Sequence, residues 1–196
     1  RRKILVNLST FQPSPGNETT NPIVIPQTPA MKWILFLFVS LVVMAGCRKK
    51  GDAKVEIYLL RSYVTTTDPV NPGLVSINSA VLEDTPFVRD DEIRYYDKQA
   101  RSFRMRTNIK QDIQTFGPDK AFAVTVNNEP VYYGRVHPAY LSSMTLGLAT
   151  IDPILNGDYE LIMRYVNIDQ MPILQQLDKR NDERLLRALR ETGRLR

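Results

Sequence analysis

The 196-residue chain has one cysteine, Cys47, and one histidine, His137. A histidine-based metal centre needs a second histidine or a cysteine, and a disulfide framework needs paired thiols, so neither is open to it. None of the nine glycines falls in a GxGxxG or GxxxxGK[ST] pattern, so no phosphate-cradling loop is present. The acidic run Asp90-Asp91-Glu92 lacks the alternating oxygen ligands and turn glycine of a calcium loop, and it reads as the start of a helix. No apolar run reaches the roughly 20 residues of a membrane-spanning helix. No metal or free cofactor is therefore expected. Strong charge of one sign is also missing. Residues 1–46 hold four basic and one acidic residue, which leaves 22 basic against 20 acidic residues in Cys47–Arg196. That balance gives no electrostatic footprint for nucleic acid.

What is present begins with Met31–Cys47, MKWILFLFVSLVVMAGC. Basic Lys32, an apolar run from Trp33 to Met44, and small Ala45 and Gly46 before Cys47 are the three regions of a secretory signal peptide. A spanning helix and a buried helix with a free thiol are the competing readings. The run is short for the first, and Arg48-Lys49-Lys50 directly after it sits badly with the second. The segment Met44-Ala45-Gly46-Cys47 resembles the lipobox of bacterial lipoproteins, with Met44 where Leu is usual. The resemblance implies cleavage between Gly46 and Cys47. It also implies a diacylglycerol and an acyl chain such as palmitate on Cys47, and a membrane-anchored place in the cell envelope, facing the periplasm or the cell surface.

Four segments follow from this. Residues 1–30, rich in Pro, Asn and Thr, read as a mis-set start or a disordered extension. Residues 31–46 are the signal, 47–54 a lipidated tether, and 55–196 a single domain of a size that supports its own core. Arg48, Lys49, Lys50 and Lys54 suit an anionic membrane surface or, equally, a solvated linker.

Within the domain, Val55–Tyr63 alternates as a strand, Thr65–Gly73 is a loop and Leu74–Leu82 is extended. Pro86–Asp97 reads as a short helix capped by Asp90, and Arg101–Arg106 as a half-exposed strand. Thr107–Phe116 reads as a second helix. Ala121–Val136 is a hairpin turning at Asn127-Asn128-Glu129-Pro130. Leu146–Ile151 and Tyr159–Val166 are further strands, and Asn181–Thr192 is a closing helix with a Leu185, Leu186, Leu189 stripe. The class expected is α+β: an antiparallel or mixed sheet of about five strands with two or three helices on one face, preceded by the signal peptide.

The blocks VEIYLLRSY, AVLEDTPFVRDDEI, AFAVTVNNEPVYYGRVHP and RNDERLLRALRETGRL resemble a group of small uncharacterised bacterial lipoproteins. That group carries an aromatic-Pro pair and a serine run after the hairpin, where this chain has Val136-His137-Pro138 and Ser142-Ser143. Residues 103–151 are faintly similar to the periplasmic head of the SecD translocase subunit, which implies a fold and, at most, an accessory role in protein translocation.

A Ser/His/acid triad can be drawn from Ser142 or Ser143, His137 and Asp152, without a nucleophile elbow around it. It defines an envelope hydrolase as the alternative function. Tyr132, Tyr133, His137 and Tyr140 form the candidate binding surface. Arg184, Arg187 and Arg190 form a basic ridge on the last helix, read as the solvated side of a core-closing helix or as a docking face for a partner. The function expected is a non-enzymatic, lipid-anchored envelope domain that binds a protein partner or another envelope ligand.

Overall fold

The computed structural model describes residues 52–141 and 145–196. The signal segment, Gly46 and Cys47, residues 1–30, and Ser142 and Ser143 lie outside the described residues.

The fold is α+β. One mixed sheet has the strand order β2-β1-β5-β6-β7, built from β1 (Val55–Thr67), β2 (Val75–Leu82), β5 (Ala121–Val126), β6 (Glu129–Val136) and β7 (Ala149–Ile151). Its pairs are antiparallel except β6 with β7. A second, antiparallel sheet joins β3 (Ile93–Asp97), β4 (Ser102–Met105) and β8 (Glu160–Ile162). A bridge between Thr150 and Arg164 links the two sheets. The described residues also form three helices: α1 (Lys110–Thr115), α2 (Pro172–Leu177) and α3 (Glu183–Glu191).

Alternation explains the central strands. Val55 and Ile57 of β1 and Phe122 and Val124 of β5 point to one face and are fully or almost fully buried. Leu60, Ala121 and Ala123 point to the other face, where a smaller cluster gathers with Ile77 and Leu148. The main core lies between the two sheets and α3. It contains Tyr96, Phe103, Phe122, Leu161, Leu185 and Leu189. In α3 the Leu185, Leu186, Ala188 and Leu189 stripe is buried, and Arg184, Arg187 and Arg190 face water. Each fully buried leucine contributes about 1.5–3 kcal/mol of apolar burial.

The β5–β6 hairpin turns on Asn127 and Asn128, both at positive φ (53° and 67°). This is the two-residue turn that matches strand twist, and asparagine tolerates it best after glycine. Gly134 of β6 pairs across the hairpin with Phe122. A Cβ there would overlap the Phe122 ring and lie 2.5 Å from the Ala149 carbonyl oxygen. Glycine is thus what lets the ring cover the strand and β7 close on β6.

The segment expected to be helical from Pro86 to Asp97 is not a helix. Asp90–Glu92 make one 3-10 turn, and Ile93–Asp97 run on as strand β3. Tyrosines and Ile93 favour a pleated surface, and pairing with β4, with Tyr96 opposite Phe103, outweighs the acidic helix-start signal. The closing helix is capped by Asp182, whose side chain accepts from the Arg184 N–H, and not by Asn181. Helix α2 was not anticipated. It begins with Pro172 at its first turn, where proline loses no helical hydrogen bond.

Candidate functional site

Where β6, the segment before β7 and the α2–α3 connection meet, the domain has a cavity of about 210 Å³. Its apolar wall includes Ile77, Val131, Leu148 and Leu177. Its polar groups are Tyr132, Tyr133, Tyr165, Lys179 and Arg180, with Ser76 at one side. Leu177, 38% exposed, and the exposed Lys179 belong to the rim, while Arg180 is only 4% exposed.

Arg180 is held in place from several directions. Its Nε and Nη2 donate to the two carboxylate oxygens of Asp178, each at 2.7 Å, and Nη1 donates to the Met163 carbonyl at 2.7 Å. The guanidinium also lies 5.3 Å from the centre of the Tyr165 ring. This fork matches a carboxylate in a way a lysine would not. Arg101 adds a second cation 3.6 Å from Asp178. Burial pushes the Asp178 carboxyl up, but the Arg180 hydrogen bonds and charge, with Arg101 behind them, outweigh it and hold the group below the usual carboxylate range. The pair therefore stays ionised, with two of the five guanidinium N–H donors still uncommitted to it or to Met163.

Three tyrosine hydroxyls surround this pair, in unequal circumstances. The Tyr96 hydroxyl donates to the Arg180 carbonyl at 2.7 Å, and the Tyr165 hydroxyl to the Gly147 carbonyl at 2.6 Å. Tyr132, 6% exposed, has a fully shielded hydroxyl with no hydrogen-bond partner. Burial raises the pKa of all three hydroxyls, that of Tyr165 to about 12, and all remain neutral at physiological pH. An apolar hollow bordered by one ordered guanidinium suits a small molecule with an apolar body and a single hydrogen-bond-accepting head.

Two further depressions, of about 820 and 610 Å³, adjoin by sharing Arg94 and Arg106. They lie on the β3–β4 side and begin at Asp52–Lys54, where the described chain starts.

The four residues of the expected binding surface do not share one exposed face. Tyr132 is in the main core and Tyr133 is half-buried against the smaller cluster, yet both line the cavity. His137 is buried, its backbone N–H donating to the Ile151 carbonyl at 2.8 Å, and Tyr140 is 68% exposed. Asp152, the acid of the triad that can be drawn on paper, is buried and occupied. Its oxygens accept the backbone N–H groups of Ala139, Ile154 and Leu155 at 3.0, 2.8 and 3.2 Å. It ties down the loop after β6. Asp90 is likewise structural, accepting the Val55 N–H at 2.7 Å and pairing with Arg194. Among the described residues no group of three or more His, Cys, Asp or Glu side chains is placed to hold a metal.

Sequence reasoning missed Arg180, Asp178 and Tyr165. Tyr165 falls in the expected strand Tyr159–Val166, and Asp178 and Arg180 lie between it and the closing helix expected from Asn181. The one available signal was an arginine two residues after an acid, ahead of a helix cap. No helix of the described residues is long and apolar enough to cross a membrane. No protein-family model, no curated protein and no solved structure matches this chain.

Proposed function

We propose that this chain is an exported, lipid-anchored cell-envelope protein. Its folded domain is a non-enzymatic binding module, and the Tyr132–Tyr165–Arg180 cavity takes a small ligand with an apolar body and an acceptor head group. The signal-like order of Met31–Cys47 supports the anchored placement. The cavity itself, apolar on one wall and bordered by the Arg180 guanidinium with two N–H donors engaged by neither Asp178 nor Met163, carries the binding reading. Hydrogen bonds in which one partner is ionised are roughly twice as strong as neutral ones, so an acceptor head group gains most beside that guanidinium.

Size favours a small guest. An engineered cavity of ~150 Å³ holds benzene, and the space here is somewhat larger. Benzoate is therefore the probe and toluene the control that lacks the head group. Thermal unfolding of the full chain should shift upward with benzoate and less with toluene. At a concentration 100 times the dissociation constant the gain is about 2.7 kcal/mol. Leu177→Trp, at the rim, should abolish the shift while leaving the unliganded melting point near that of the native chain. A benzoate shift that survives in Leu177→Trp, or equal shifts with both probes, would remove the cavity from the proposal.

A further inference from the structure

The groove on the β3–β4 side has a charge pattern that sets it apart from the other basic features. On α3, Arg184 is paired with Asp182 and Arg190 with Glu183, which leaves Arg187 as a single unpaired cation of that ridge among the described residues. At the groove, Lys54, Arg94 and Arg106 are exposed and have no ion pair among the described residues, although they line the same concave surface. Two of the nearby acids are already engaged, Asp90 by Arg194 and Asp91 by Arg89. Asp52 is the one carboxylate of the lining left unpaired, so three free cations face one free anion. Tyr159, 53% exposed, and Tyr95 continue the wall beside Arg94 and Arg106. Arginine with tyrosine is the pairing that suits a headgroup region, where one takes phosphate and the other places a ring at the apolar boundary.

The chain's own connectivity says what lies next to this surface. Five peptide steps separate Cys47 from Asp52, a reach of at most roughly 18 Å. Asp52, Ala53 and Lys54 are themselves part of the groove. Any bilayer holding acyl chains at Cys47 is therefore within a short tether of Arg94 and Arg106. The opposite pole of the domain is far away, because β1 alone runs 13 residues, or roughly 40 Å, from Val55 to Thr67.

We propose that the groove from Lys54 past Arg94 and Arg106 to Tyr159 seats on the anionic phospholipid surface to which the chain is tethered, its free cations taking lipid phosphates. The domain then stands in one orientation, with the exposed loop around Val70 pointing away from the membrane. This inference rests on the lipid anchor proposed above and is independent of the cavity.

The test uses the full chain purified from membranes, carrying Thr107→Cys beside Arg106, or Val70→Cys at the far pole. Each is labelled with a thiol-reactive nitroxide in vesicles of phosphatidylcholine alone or mixed with phosphatidylglycerol. An acylated Cys47 takes no label, so one nitroxide per chain reports the anchor directly. At position 107, collisions with a water-borne nickel relaxant should be lost in the anionic vesicles only, and position 70 should stay open in both. Arg94→Gln with Arg106→Gln should restore access at 107, lowering the docked-to-free ratio by about fivefold per arginine. Equal access at 107 in both lipids, with one label per chain, overturns the docking and leaves the anchor standing. Two labels per chain expose a free Cys47, and anchor and docking fall together.

Discussion

Replacing Tyr132 with phenylalanine should make the unliganded protein more stable. The hydroxyl is completely shielded and has no hydrogen-bond partner. Desolvating such a group without compensation costs about 1–3 kcal/mol, and Phe keeps the ring that packs in the main core. A gain of about 1–2 kcal/mol is expected, which for a domain of this size raises the melting point by about 2–4 °C per kcal/mol. Two neighbours supply the control. Tyr165→Phe and Tyr96→Phe strip the same atom from hydroxyls that donate to the Gly147 and Arg180 carbonyls. They should destabilise by about 1 kcal/mol each, leaving those carbonyls short of a donor. Three identical substitutions within one cluster thus carry opposite signs, fixed by which hydroxyl has an acceptor. Urea denaturation of each variant, with an unchanged denaturant slope, reads the differences. If Tyr132→Phe loses about 1 kcal/mol as its neighbours do, an ordered water or protein group satisfies the hydroxyl and the reasoning fails.

Gly134→Ala should cost about 3 kcal/mol, because the added methyl meets the Phe122 ring and a backbone oxygen of Ala149 that cannot rotate away; chemical denaturation measures it. Asp182→Ala removes the cap of α3 and should cost about 1 kcal/mol, with Asp182→Asn retaining most of it in the same assay. The lowered folded-state pKa of Asp178 gives a definite acid limb. Its contribution is full above the unfolded value near pH 4 and is lost as pH falls from there through the lower folded value, so melting curves of Asp178→Asn should show a shallower loss in that window. Radiolabelled palmitate should enter the native chain and be absent from Cys47→Ser; incorporation into both would refute attachment at that thiol.

Local chemistry made much of the first sheet readable. Val55, Ile57 and Leu59 alternate with their neighbours over the stretch where β1 pairs with β5, and Asn127-Asn128 announces the hairpin turn before any pairing is known. The leucine stripe of α3 is equally plain. The second sheet was harder, because its evidence is tertiary. Nothing within Asp90–Asp97 tells that Tyr96 will sit opposite Phe103, and three acids in a row mimic a helix start. The short strands β7 and β8, three residues each, fall inside the expected strands Leu146–Ile151 and Tyr159–Val166, but their partners lie 15 and 56 positions away in sequence: Gly134 with Ala149, and Arg104 with Glu160. At that length propensity carries little weight beside pairing. The cavity was half legible. Adjacent tyrosines in a strand had to face opposite ways, and Tyr132 and Tyr133 do. That Arg180 would reach the Met163 carbonyl, 17 residues earlier, is a fact of packing alone.

The Asp178–Arg180 pair explains how a binding hollow is kept open at all. Replacing a buried ion pair by apolar residues is often neutral or stabilising, so stability by itself is a weak reason for this pair to be there. Its geometry offers a better one. Arg180 joins the connection between α2 and α3 to the Met163 carbonyl beyond β8, while its own carbonyl receives Tyr96 from β3. Asp178 is approached by Arg101 at the start of β4. Each bond pulls on a different element, so the guanidinium cannot collapse into the hollow without breaking several charged contacts at once. The hydroxyl of Tyr132 is shielded from that space and lies in the main core. Leu177 and Lys179, one residue to either side of the pinned Asp178, stand at the rim and are exposed. A rigid polar floor beneath an exposed mouth lowers the ordering cost of binding, and a fully apolar version of the same packing would forfeit that advantage.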